Sequence, residues 1–342
     1  MSSDETRKPS RKPTPLLRPS LSPLPFGAGG SSHAVDEGNV AQGAKNVVSR
    51  CLSARPREVV HLLDYRAGDL LPLFVRAVED AAATPVVVDV ASFLKDGGTI
   101  AEYAARLEPR LAGATATILL APERPPPALS VAVAKAAERQ KARHLHLLQV
   151  DERLLMTSVR ADPDLLSIVN GRLATALEPP CTVRVTSEAG TSLEVQLDPR
   201  HPVLASSGRP SPGTSENLPA GHVYVHPYRV SGVVVADRAV FGPALEIDRA
   251  ALRRHPVRAQ FSNGRLSSFE ADDEAVRSAI ERYLASHVNA NRVGLVVFPT
   301  NYLVRSEIGS DRQDMLLPGA SISMGYASAE ATRAPYEAPV QM

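Results

Sequence analysis

The chain has 342 residues, 44% of them apolar and 22% charged, with a formal net charge of +1. That is ordinary globular composition with room for two domains, and it offers no basic excess for nucleic acid or an anionic membrane. Tryptophan is absent, aromatics reach 4%, and the two cysteines stand far apart, so a base-stacking platform, a disulfide framework and a cysteine-rich zinc site are excluded. Cys51 and Cys181 read as small core residues, which suits a reducing cytoplasm.

Residues 1–33 are rich in Ser, Pro, Arg, Lys and Gly. They hold no apolar run long enough for a signal peptide or membrane span, and they read as a disordered, mildly basic tail. An α/β segment is expected over 34–178. A helix is expected over 34–54 from spaced apolar positions, then a strand in EVVHLLDY (58–65). A helix over 68–83 tolerates Pro72 in its first turn, and TPVVVDV (84–90) reads as a buried strand. A helix near 98–110, a strand over 114–121, a helix over 128–142, a strand over 143–150 and a helix over 162–177 follow. Strands alternating with helices imply a doubly wound, mostly parallel sheet covered on both faces. No turn after these strands has the glycine spacing of a phosphate or dinucleotide loop.

The texture changes at Glu178-Pro179-Pro180, and 179–330 reads as a second, strand-rich α+β domain, with 331–342 as a C-terminal tail. CTVRVTSEAGTSLEVQL (181–197) is a hairpin by its alternation about a glycine-containing turn. Residues 198–221 read as a long Pro/Ser/Gly loop, and Ser206, Ser207, Ser211 and Ser215 within it as turn serines rather than nucleophiles. Then come HVYVHPYRVSGVVVAD, a hairpin about Asn263-Gly264, a helix over 272–288 and strands in RVGLVVF and SISMGY. In HVYVH a strand would place His222, Tyr224 and His226 in one polar row, with Val223 and Val225 toward the core. At that spacing the two imidazoles lie roughly 13 Å apart, too far to share one ion.

The order VRVTSEAGTSLEVQL, ENLPAG, FSNGRL, a helix, and a strand ending in PTN resembles the C-terminal domain of the aminopeptidase T family of dinuclear metallo-aminopeptidases, over 181 to about 326. The matching positions are Gly190-Thr191, Asn217-Leu218-Pro219, Gly221, Asn263-Gly264 and Thr300-Asn301. The resemblance implies metal ligands, and this sequence lacks them. The glutamate expected after Asn-Leu-Pro-x-Gly is His222; the stretch VGLVVF has no carboxylate; the expected histidine of the next strand is Ser321; and no His-x-Asp pair follows Gly325. Imidazole at 222 cannot bridge two ions as a carboxylate does. Glu216, Glu307, Asp311 and Asp314 remain, the last three reading as a solvated loop. The same resemblance extends to a ring-cleaving mononuclear-iron dioxygenase of pyridine catabolism, whose two histidines and carboxylate would draw on the same missing pair.

The expectation is therefore a non-catalytic, metal-free and cofactor-free peptide-binding protein on a degenerate metallo-aminopeptidase scaffold. Its peptide-binding residues would be His222, Tyr224, His226, Asn217, Asn301 and Ser321. Its partners would be a precursor peptide and the enzymes that modify it in peptide natural-product (RiPP) biosynthesis. The resemblance implies a homodimer. The alternatives are an active metallo-aminopeptidase or related hydrolase with rearranged ligands, and a structural subunit that only dimerises.

Overall fold

The computed structural model describes residues 36–238, 240 and 247–338. The tail expected over 1–33 lies outside the described residues. In the first half, α1 (Glu37–Asn46) is capped by Asp36, whose carboxylate accepts from the Gly38 and Asn39 amides, and it runs into a π-helical turn, Val47–Cys51. There follow β1 (Val59–Asp64), α2 (Leu70–Asp80), β2 (Thr84–Asp89), α3 (Ile100–Leu107), β3 (Ala116–Ala121), α4 (Pro127–Arg139), β4 (Arg143–Leu148), α5 (Glu152–Met156) and α6 (Pro163–Ala176). Every strand and helix expected before residue 178 is present within a few residues of its expected bounds. The short α5 is additional, because five residues carry no periodicity to read.

β3 and β4 are buried at every position, as strands covered on both faces must be. One core joins Leu62, Ile118 and Leu145 to α1, α2 and α5. The other joins Leu63, Leu119 and Leu148 to α3 and α4.

The second half adds β5 (Cys181–Thr186), β6 (Ser192–Leu197), β7 (Leu204–Ser206), β8 (Ser215–Leu218), β9 (His222–Val225), β10 (Arg229–Ala236), α7 (Arg249–Arg254), β11 (Val257–Ser262), β12 (Arg265–Glu270), α8 (Glu274–Ser286), β13 (Val293–Pro299), α9 (Asp311–Asp314), β14 (Ser321–Met324) and α10 (Ala329–Thr332). Two antiparallel sheets form, in the orders β12-β11-β10-β6-β5 and β14-β13-β9-β7. Val195, Val223, Val225, Val230, Phe261 and Val296 share the core that joins them. The β11–β12 turn has positive φ at both Asn263 and Gly264, the backbone that a two-residue hairpin of this twist requires.

Two expectations are corrected here. Residues 198–221 are not one long loop: β7 joins the four-stranded sheet, and β8 pairs parallel to β4 as the fifth strand of the first sheet, in the order β2-β1-β3-β4-β8. The chain thus returns to its first sheet after residue 179, and the described residues fall in one compact unit. Nor is the segment after 330 a free tail as far as residue 338. Thr332 and Ala338 are buried, and the Tyr336 hydroxyl donates to the Val293 carbonyl. Among the described residues, no helix is long and apolar enough to cross a membrane.

Candidate functional site

β9 alternates as its sequence dictates. Val223 and Val225 are fully buried in the shared core, and His222 and Tyr224 point to the opposite face. Registers carry that face across the sheet. Tyr224 lies opposite Val297 on one side and Leu204 on the other, and Ser321 lies opposite Val297. His222 lies between Pro299 and Ser206. Residues directly opposite in an antiparallel pair share a face, so Ser321, His222 and Tyr224 are brought together as expected.

Glu216 completes the group. It stands on β8, half-buried, and accepts from Ser206 Oγ at 2.5 Å and from the Gly208 amide. Burial pushes its carboxyl above the usual range. Burial and the nearby Glu216 carboxyl likewise raise the Tyr224 phenol, while the His222 and Tyr224 ring centroids lie 5.6 Å apart. His222 Nδ1 is buried with no partner among the described residues, and burial holds this imidazole at a pKa of about 4. The face therefore presents a neutral imidazole, a phenol and a protonatable carboxyl, groups that donate and accept hydrogen bonds at neutral pH. In the sequence Glu216 sat in what read as a loop, and only its pairing with Leu145 of β4 reveals its place.

Three expected site residues lie elsewhere. His226 is beyond the end of β9; its Nδ1 donates to the Gly294 carbonyl at 2.7 Å, and its ring packs on His201 and Tyr336 under the C-terminal segment. Asn301 is buried: Nδ2 donates to the Ser158 and Ala220 carbonyls at 3.0 and 2.7 Å, and Oδ1 accepts from the Leu303 amide. It stitches the two halves together, with both amide protons spent on backbone carbonyls. Asn217 is exposed on the face of β8 opposite Glu216, beside His146.

The acidic loop is corrected as well. Asp314 is 3% exposed; it accepts from the Ile308 and Gly309 amides and pairs with Arg249, which also holds Asp311. Glu307 pairs with Arg253. These carboxylates fasten α7 to the α9 loop. Cys51 is buried, its thiol pushed up to about 12, which leaves it without nucleophilic character.

The residues on the face do not fit a dinuclear metal centre. Two ions need bridging carboxylates and about four protein ligands each. The positions that the resemblance assigns to ligands hold His222, apolar β13 side chains and Ser321, and Glu216 already accepts two hydrogen bonds. Among the described residues, no group of three or more His, Cys, Asp or Glu is placed to hold an ion.

No protein-family model matches the chain, and no curated protein sequence matches it. Among the solved structures that match, two align along most of their length. 2,5-Dihydroxypyridine dioxygenase from Pseudomonas putida KT2440 aligns with a TM-score of 0.65 at 14% identity, covering 90% of this chain and 92% of its own. Wild-type AmpT from Thermus thermophilus aligns with a TM-score of 0.60 at 18% identity, with the same two coverages, 90% and 92%. What the three chains share is the fold.

Proposed function

We propose that this protein binds an extended peptide without hydrolysing it, on the face formed by His222, Tyr224, Ser321, Ser206 and Glu216. One observation carries the reading. The rows Ser321–Val297–Tyr224–Leu204 and Pro299–His222–Ser206 present hydrogen-bonding side chains where the resemblance puts carboxylate and histidine ligands. Such a face holds an extended peptide by side-chain hydrogen bonds, and main-chain bonds are open to it only at the edge strands β14 and β7. In this reading the protein is a cytoplasmic homodimer that presents a precursor peptide to its modifying enzymes.

The test is fluorescence polarisation with a pool of short labelled peptides. Binding should survive a chelator, and His222→Ala or Tyr224→Phe should weaken it by roughly 2- to 100-fold, from about 0.5–3 kcal/mol per lost contact. A second reading rests on the raised Glu216 carboxyl, bonded to Ser206 on the face that also carries His222, which would suit a hydrolase with rearranged ligands. Peptide cleavage that needs added zinc or manganese and is lost in Glu216→Gln would establish that reading and overturn the first. Neither binding nor cleavage would leave a structural subunit.

A further inference from the structure

β2 stands at the end of the order β2-β1-β3-β4-β8 and pairs with β1 alone, without a register shift. Its outer side meets no strand among the described residues. The Thr84 amide donates to the Glu58 carbonyl at 2.8 Å, and the Val90 amide to the Asp64 carbonyl at 2.9 Å. Main-chain groups alternate in direction along a strand, so the even-numbered residues serve β1, and Pro85, Val87 and Asp89 turn their groups outward. Val87 is 47% exposed, and no described residue bonds its amide or its carbonyl. The strand carries neither a lysine nor a bulge, and Pro85 is its one guard against edge pairing.

The outward groups are unequal. Pro85 has a carbonyl and no amide proton to give. Val87 has both. Asp89 has an amide, but its carbonyl already accepts from Ser92 Oγ at 2.8 Å, and its carboxylate accepts from the Ser92 amide at 3.0 Å. This inventory matches itself. Laid antiparallel to a second β2 with Val87 opposite Val87, the strand puts Pro85 opposite Asp89. The two Val87 residues then exchange N–H···O bonds in both directions, and each Asp89 amide donates to the Pro85 carbonyl of the other copy. The donor that Pro85 lacks falls opposite the acceptor that Ser92 already occupies, so no outward group is left over. Other registers lose this match. Sliding the second strand one way sets Pro85 against Val87 and leaves a Val87 carbonyl without a donor. Sliding it the other way aims the Val87 amide at the occupied Asp89 carbonyl.

From this self-complementarity we infer that the outer edge of β2 is an interface between two copies of this chain, which pair antiparallel about a two-fold axis at Val87 and join their five-stranded sheets into one. The occupant is a second copy because the match is isologous: an unrelated strand would have to supply the same missing donor and the same occupied acceptor. Residues directly opposite share a face, so the two Val87 side chains lie together at the axis. The inference gives the homodimer of the proposed function its surface and rests on that part of the reading alone. The peptide face is carried by other strands and stands apart from it.

The experiment is sedimentation velocity of the full chain over roughly 1–100 μM, with circular dichroism and melting of every variant. The wild type should sediment as a dimer. Val87→Pro removes an amide that the single chain does not use, and it should weaken association at least about tenfold. Val87→Lys and Val87→Glu each set like charges together at the axis and should sediment as monomers that melt close to the wild type, since the position is exposed. An equal mixture of the lysine and glutamate variants should return to a dimer, because each ammonium then meets a carboxylate. If Val87→Pro does not fold, the two charged variants carry the test. A dimer that persists unchanged in Val87→Lys and Val87→Glu would overturn the interface and leave the homodimer standing. A mixture that stays monomeric would overturn the pairing at Val87. A monomeric wild type would overturn both the interface and the homodimer, while peptide binding by fluorescence polarisation would still decide the peptide face on its own.

Discussion

Acid should unfold this protein early, and the histidines say by how much. His146, His222 and His226 each have a pKa of about 4, chiefly because burial penalises the charged ring. In the unfolded chain each returns to about 6.5. A base whose pKa is depressed by folding binds its proton more readily when unfolded, so stability is complete above about pH 6.5 and drains away as pH falls toward 4. At about pH 5 an unfolded histidine is roughly 97% protonated and a folded one roughly 9%, a loss of about 2 kcal/mol for each ring. Three rings together lose about 6 kcal/mol, as much as the whole stability of many domains. His144 and His61 are shifted in the same direction and add to the loss. Glu216 works against it, because its raised carboxyl favours the protonated, folded form as pH falls. Urea denaturation at about pH 7.5 and about pH 5 measures the difference. His146→Leu should reduce the pH dependence by roughly a third, or about 2 kcal/mol. A stability that changes by less than about 2 kcal/mol between the two conditions would refute the reasoning, and so would a His146→Leu variant with an unaltered pH profile.

Val225→Asp should prevent folding of the strand-rich half, because it places an unpaired carboxylate at a position with 0% exposure; circular dichroism and limited proteolysis check it. Gly221→Ala should cost about 1–3 kcal/mol or more in the free energy of unfolding measured by denaturation, since φ is +103° and the added methyl would lie 2.9–3.0 Å from Asn301 atoms. Asn301→Ala should cost roughly 1–3 kcal/mol by leaving the Ala220 carbonyl unpaired, while the Ser158 carbonyl keeps the Ala161 amide, without changing peptide affinity in the folded fraction. Light scattering at micromolar concentration should return twice the chain mass; a monomer would refute the expected homodimer.

The alternation of sheet and helix in the first half was readable because burial imposes a local period, 2 in a strand and 3.6 in a helix, on residues that must leave water. The same holds for the Asn263-Gly264 hairpin and for Val223 and Val225 facing the core, since each depends on neighbours a few positions away. β8 was hidden because SENL has no apolar period; its pairing with β4 is made of backbone hydrogen bonds that any sequence can supply. His226 looked like the third member of a polar row, yet its carbonyl partner, Gly294, lies 68 residues on, and Tyr336 covers it from the C-terminal segment. Asn301 looked like a ligand-binding residue, yet it holds Ser158, 143 residues away. Asp314 looked solvated until Arg249 arrived from α7. Glu216 differs in the same way, since only the fold brings Ser206 and the Tyr224 phenol to it. Sequence periodicity says which side chains must be buried. Which polar groups meet once they are buried is decided by contacts across long stretches of chain, where no local pattern carries the information.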